Sequence, residues 1–106
     1  MMKLIMAIVS NDDAGNVTTA LTDNGFWVTR LATTGGFLKA GNTTMIVGTD
    51  DDKVDHCIEI IGSQSQRRTE IVTAMGEMGR YADYPVEVTV GGATVFVLDV
   101  EQFRKM

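Results

Sequence analysis

Residues 3–21 read KLIMAIVSNDDAGNVTTAL and join an apolar run directly to a polar segment. Residues 3–10 are short, apolar and rich in Ile and Val, which predicts a buried strand. The polar residues 11–13 have the side chains that helix N-termini favour, and the apolar residues after them recur at helical spacing. Asn24-Gly25 is a typical helix end, because both residues tolerate a left-handed backbone. The stretch therefore predicts a β-α unit.

The same patterns predict the elements of the rest of the chain. They predict a strand over 26–33, a glycine-rich segment over 33–44, a strand over 44–49, a helix from the acidic residues 50–52 to Gly62, a strand over 67–74, a loop over 75–84, and two strands that flank Gly91-Gly92. This order indicates one α+β domain over residues 1–106, with a ferredoxin-like βαββαβ pattern and an extra C-terminal hairpin across Gly91-Gly92.

Two helices can cover only one face of such a sheet. The other face would leave apolar side chains exposed, so it needs a second layer, and the same face of another subunit can supply one. The element count therefore predicts an oligomer.

Composition excludes several function classes. The net charge is −5, which disfavours binding to long nucleic acids, because that binding is largely phosphate neutralisation. No apolar run approaches the roughly 18 residues of a membrane span. The single cysteine excludes an internal disulfide, and we expect a cytoplasmic protein.

Catalytic and metal-binding residues are not expected. His56 and Cys57 are neighbours on a predicted helix, where adjacent side chains point about 100° apart. Cys57 falls on the apolar face with Val54, Ile58 and Ile61, so His56 is expected on the solvent side. One His and one buried Cys offer little to a metal, and we predict no enzyme activity and no cofactor.

Residues 33–44, TTGGFLKAGNTT, have the composition of a binding segment. Paired glycines let backbone N–H groups approach an anion, Phe37 offers a ring for stacking on a base, and the Asn42 amide can pair with an adenine edge. From 25 to 48 the chain has two basic residues, Arg30 and Lys39, and no acidic one, which suits an anionic ligand. A plain glycine loop with Phe37 packed against a neighbour stays open as the alternative.

Two long blocks, LATTGGFLKAGNTT at 31–44 and YPVEVTVGGATVFVLDVEQF at 84–103, resemble the PII-like cyclic-di-AMP receptors of Gram-positive bacteria. The strand-helix stretch quoted above and DDDKVDHCIEII at 50–61 fit the same pattern. The resemblance implies a ferredoxin-like, PII-like subunit in a compact homotrimer, a cytoplasmic signalling protein without catalysis. It also implies cyclic di-AMP between subunits, three per trimer, and loops that address an unknown partner protein.

The resemblance also implies the ligand contacts. By matching position they are Thr29, Gly36, Phe37, Leu38, Asn42 and Gly48, with Gly91, Gly92 and Phe96 close by and the tail near Phe103 completing the site.

Three departures from the family pattern concern the rim of the site. Gly25 and Trp27 stand where Asn and Arg are usual, the loop at 75–84 is shorter and has Arg80, and the tail ends in Lys105-Met106. Losing the Arg removes a charge-assisted contact, whereas Trp27 adds a ring and bulk. Two alternatives therefore remain: a sensor of another adenine nucleotide such as ATP or ADP, or a trimeric scaffold that has lost its ligand.

Overall fold

A computed structural model describes residues 1–31, 41–74 and 84–106 of the chain. The strands are β1 (Met2–Ser10), β2 (Val28–Arg30), β3 (Asn42–Asp50), β4 (Arg68–Ala74), β5 (Tyr84–Val90) and β6 (Ala93–Asp99). The helices are α1 (Asn11–Asp23) and α2 (Val54–Gln64), and a short 3-10 turn, Asp51–Lys53, leads into α2.

Four strands form one antiparallel sheet in the order β2-β3-β1-β6. The elements that build it follow one another as β1-α1-β2-β3-α2-β6, which is a βαββαβ pattern as predicted. Its last strand is β6, however, and not the predicted strand over 67–74, which is β4 and lies in a separate sheet. The α+β prediction is thus confirmed.

The hairpin predicted across Gly91-Gly92 is wrong in its pairing. β5 pairs with β4 in a separate two-stranded antiparallel sheet, from Arg68 opposite Val90 to Ala74 opposite Tyr84. β6 pairs instead with β1 in the four-stranded sheet. Gly91-Gly92 is therefore a crossover between two sheets, and both glycines have a φ of +84°.

The two helices cover one face of the four-stranded sheet. The core lies between the helices and this face. Odd-numbered side chains of β1 and β3 point into it, as the two-residue period of a strand requires. The core is formed by Ile5, Ala7, Val9, Ala14, Val17, Leu21, Phe26, Met45, Val47, Cys57 and Ile61.

Helix α1 begins and ends close to the predicted positions. Ser10 is its N-cap residue and its hydroxyl donates to Oδ2 of Asp13 at 3.0 Å. At the other end, the backbone N–H of Asn24 donates to the carbonyls of Ala20 and Leu21. Gly25 follows with a φ of 86°, the left-handed conformation that stops a helix.

Strand β2 is shorter than the predicted strand over 26–33. Its side chains alternate as those of a strand do, since Phe26 is buried and Val28 packs against the core. Arg30 extends to the same side and donates to the carbonyl of Ala14 at 3.1 Å and the hydroxyl of Thr18 at 3.0 Å. Thr29 consequently lies on the opposite face.

Helix α2 buries the predicted Cys57 and Ile61, and Val54 packs against the core. The predicted Ile58 is half-buried, and Ile60 packs against the core in its place. It continues to Gln64, two residues beyond the predicted stop at Gly62. Within the described residues, no helix is long and apolar enough to cross a membrane.

Candidate functional site

The face of the sheet that the helices leave uncovered is apolar. Strand register aligns Thr29, Ile46, Met6 and Phe96 in one row across all four strands. The next row aligns Gly48 with Leu4 and Leu98. Phe96 is 51% exposed and Leu98 45% exposed in the isolated subunit. We call this surface the open face.

Four of the predicted ligand contacts share the open face. Asn42 and Gly48 are both even-numbered residues of β3, so they point to the same side as Ile46. Thr29 and Phe96 join that side through the register given above. Asn42 and Gly48 are six positions apart along β3, a distance of about 20 Å. The predicted contacts therefore lie on one surface but at two ends of it.

A cavity of about 510 Å³ occupies the end of the open face near Gly48. The predicted contacts Thr29 and Gly48 line it together with Trp27, which was predicted at the rim of the site. Its other described lining residues are Met2, Leu4 and Ile46 of the sheet and Val100, Phe103 and Lys105 of the C-terminal tail. The cavity is thus largely apolar, with one hydroxyl, two aromatic rings and one cation.

A second hollow of about 290 Å³ lies on the other side of Trp27. Gly25, Trp27 and Gly48 border it together with Lys53 and His56. Trp27 is 85% exposed and belongs to the walls of both hollows. It therefore stands at the rim, and its ring does not fill the large cavity.

The opposite end of the open face has a smaller polar pocket of about 160 Å³. Asn42, Gly91 and Gly92, all named for the predicted site, line it together with Arg67 and Thr94. The Arg67 guanidinium lies beside Gly92: a Cβ built on that glycine would be 3.6 Å from Nε.

A family model for cyclic-di-AMP receptors matches residues 2–106. The chain belongs to the cyclic-di-AMP receptor family. A crystal structure of a protein of unknown function from Pediococcus pentosaceus is 41% identical, with 99% of this chain and 97% of that chain covered and a TM-score of 0.77. The structure of Arabidopsis thaliana PII bound to citrate is 22% identical, with coverage of 93% and 74% and a TM-score of 0.55. The second likeness shows a PII-like fold.

Three of the predicted ligand contacts lie outside the residues that the structure describes: Gly36, Phe37 and Leu38. Lys39 and Arg80 do as well. Their predicted roles, the glycine cradle for phosphate and the ring for stacking, stay predictions.

The structure corrects the electrostatic expectation for Arg30. Its guanidinium is turned toward α1, where it donates to Ala14 and Thr18, and so it points away from the open face. A ligand on that face would meet the cations Lys105 at one end and Arg67 at the other. Neither was among the predicted contacts. Arg67 follows the end of α2 with no sequence signal for a site.

The adjacent His56 and Cys57 diverge as predicted. Cys57 is fully buried in the core, and its burial raises the pKa of the thiol to about 11. His56 is exposed, with its ring centroid 5.9 Å from that of Phe26. A neutral, inaccessible thiol is a poor nucleophile. Cys57 therefore contributes to the packing of the core, and the His56 ring lies near Phe26.

Proposed function

We propose that this protein is a cytoplasmic, non-enzymatic signalling protein that binds cyclic di-AMP between the subunits of a homotrimer. Binding would be relayed to a partner protein through rearrangement of its loops. Membership of the cyclic-di-AMP receptor family supports the ligand. The PII-like fold supports a subunit that presents one sheet face for assembly.

One observation carries the proposal: Thr29, Asn42, Gly48 and Phe96 share the open, apolar face of the sheet. Burying apolar surface of this kind is worth about 25 cal/mol per Å², so the face favours contact with other subunits. A ligand held by these four residues would therefore lie at the edge of a subunit interface. Binding and assembly would be coupled, because the same surface serves both.

Each end of the open face offers chemistry that an adenine dinucleotide needs. Asn42 provides an amide that can donate to and accept from an adenine edge. Near the other end, Thr29 provides a hydroxyl, and Gly48 leaves space where a side chain would project into the cavity. A cyclic dinucleotide carries two bases and two phosphates, so contacts contributed by two adjacent subunits suit it.

Isothermal titration with cyclic di-AMP tests the proposal, with cyclic di-GMP and ATP as comparators. We expect saturable, selective binding near one ligand per subunit. The Asn42→Ala variant should bind about tenfold more weakly, since a buried hydrogen bond to a base edge is worth about 1–3 kcal/mol. Asn16→Ala, the same change on the exposed side of α1, is the matched control and should bind as wild type does.

Other outcomes separate the alternatives. Binding of ATP in place of cyclic di-AMP would indicate a sensor of a different adenine nucleotide. A trimer with no heat for either ligand would indicate a scaffold. The exposed position of Trp27 disfavours the scaffold, because a ring at the rim leaves the large cavity open. Equal affinity of Asn42→Ala and wild type would remove Asn42 from the site.

A further inference from the structure

The C-terminal tail, residues 100–106, forms one wall of the 510 Å³ cavity. It leaves β6 beside β1, where the backbone N–H of Val100 donates to the carbonyl of Met2 at 3.1 Å. Phe103 and Lys105 then line the cavity, whereas Arg104 between them does not. The tail thus presents alternate side chains to the space that Trp27, Thr29 and Gly48 enclose from the sheet.

Lys105 gives this cavity a positive charge. Among the described lining residues it is the charged one, and none of them is acidic. None of the ion pairs in the described part of the chain involves Lys105; they use the N-terminus, Lys3 and Arg68. In a chain with a net charge of −5, an ammonium group without an acidic neighbour in the cavity is a favourable place for an anion.

The aromatic residues around Lys105 define the rest of the ligand. Trp27 is 85% exposed and Phe103 66% exposed, so both rings have free faces at the cavity. Stacking of a base on such a ring is worth about 1–3 kcal/mol. A planar base with a phosphate attached matches a ring and an ammonium group on the walls of one cavity.

We propose that Lys105 is the residue that binds a ligand phosphate in this cavity and that Trp27 stacks on the base of the same nucleotide. The inference rests on the proposed function for the identity of the ligand. It adds a determinant of affinity for the anion: the tail favours a nucleotide over a neutral nucleoside. Stacking on Trp27 adds affinity without choosing the base, because every base has a stackable face, so the choice of adenine is left to Asn42.

The experiment compares wild type with Lys105→Gln, Lys105→Arg and Arg104→Gln. Arg104→Gln is the matched control, because it removes the same charge from the adjacent residue, which does not line the cavity. Cyclic di-AMP is titrated at two salt concentrations by calorimetry and by fluorescence of Trp27. As the sole tryptophan of the chain, Trp27 reports on this cavity directly.

We expect Arg104→Gln and Lys105→Arg to stay within about threefold of the wild-type Kd. Lys105→Gln should bind about tenfold more weakly, the loss typical of one charge-assisted contact near solvent, and with a smaller dependence on salt. Ligand should quench Trp27 emission at saturation in all four proteins. Equal Kd values for Lys105→Gln and Arg104→Gln, or heat of binding without any change in Trp27 emission, would overturn the inference.

Failure of the proposed function gives a different result. Wild type could fail to bind cyclic di-AMP but bind ATP, with Lys105→Gln weakening the binding of ATP. In that case the proposed ligand is wrong and the assignment of Lys105 to a phosphate stands. If wild type binds neither nucleotide, both are overturned.

Discussion

Gly91 and Gly92 are adjacent residues with the same φ of +84° and different surroundings. A Cβ on Gly91 would lie 2.5 Å from the carbonyl oxygen of Gln66 and 2.8 Å from Nη1 of Arg68. A Cβ on Gly92 would meet nothing closer than Nε of Arg67 at 3.6 Å. Gly91 is therefore required by the crossover itself, whereas Gly92 has space that a ligand could use.

We accordingly predict that Gly91→Ala destabilises the protein more than Gly92→Ala. Both variants force a left-handed backbone on alanine, at a cost of roughly 1–2 kcal/mol. Gly91→Ala adds a clash with backbone that cannot move aside without disturbing β4. The free energy of unfolding in urea measures the difference. Equal losses would show that the crossover adjusts freely and that the close approach to Gln66 is unimportant.

At the scale of elements, an ion pair fixes the two-stranded sheet to helix α1. Nη2 of Arg68, the first residue of β4, lies 3.1 Å from Oδ1 of Asp13 in the first turn of α1. The Asp13 side chain is 7% exposed and also accepts from the Ser10 hydroxyl. Arg68 also donates to the carbonyl of Gln66, so it connects the end of α2 to the same point.

We predict that Arg68→Ala lowers the free energy of unfolding by about 1–2 kcal/mol. Removing one partner leaves a buried carboxylate with less compensation, and the 39% exposure of the Arg68 side chain keeps the cost below that of a fully buried pair. Arg67→Ala, the same truncation one residue earlier and on an exposed side chain, should change stability by less than about 0.5 kcal/mol.

Measuring the cost of Arg68→Ala in an Asp13→Asn protein identifies which contact of Arg68 stabilises the fold. If Arg68 acts through Asp13, the cost of Arg68→Ala should shrink in that background, since residues in contact are not additive. An unchanged cost would assign the stabilisation to the other contacts of Arg68.

At the scale of the whole molecule, the open face is apolar surface that the isolated subunit leaves exposed to solvent. Leu98 lies on it opposite Leu4, with Phe96 two residues away. We predict that Leu98→Asp dissociates the proposed homotrimer, because it places a charge where subunits would bury apolar surface. Light scattering should show a fall from about 35 kDa, three subunits, to the 11.5 kDa of one.

Ile71→Asp is the matched control for the assembly test. Ile71 is 70% exposed on β4, in the two-stranded sheet rather than on the open face. It should leave the mass unchanged. Dissociation by Ile71→Asp and not by Leu98→Asp would place the interface on the two-stranded sheet and contradict the proposed arrangement.

The sequence alone determined the local structure. Alternation in β1 placed Ile5 and Ala7 toward the core and left Met6 for the other face, because strand side chains have a fixed period of two. Helix α1 ends at Asn24-Gly25, where a left-handed backbone is possible. Helical spacing places Cys57 in the core and His56 on the solvent side. These outcomes depend on neighbours within one or two turns, so a local pattern carries the information.

Strand pairing and the contacts between residues far apart in the chain depend on the tertiary fold. The positive φ of Gly91 and Gly92 fits a hairpin as well as a crossover, and the choice depends on hydrogen bonds to strands far away in the chain. The Asp13–Arg68 pair and the approach of Gly91 to Gln66 favour the crossover, and neither has a local signature. Lys105 and Trp27 line one cavity for the same reason: a cavity is formed by surfaces that the folded chain brings together.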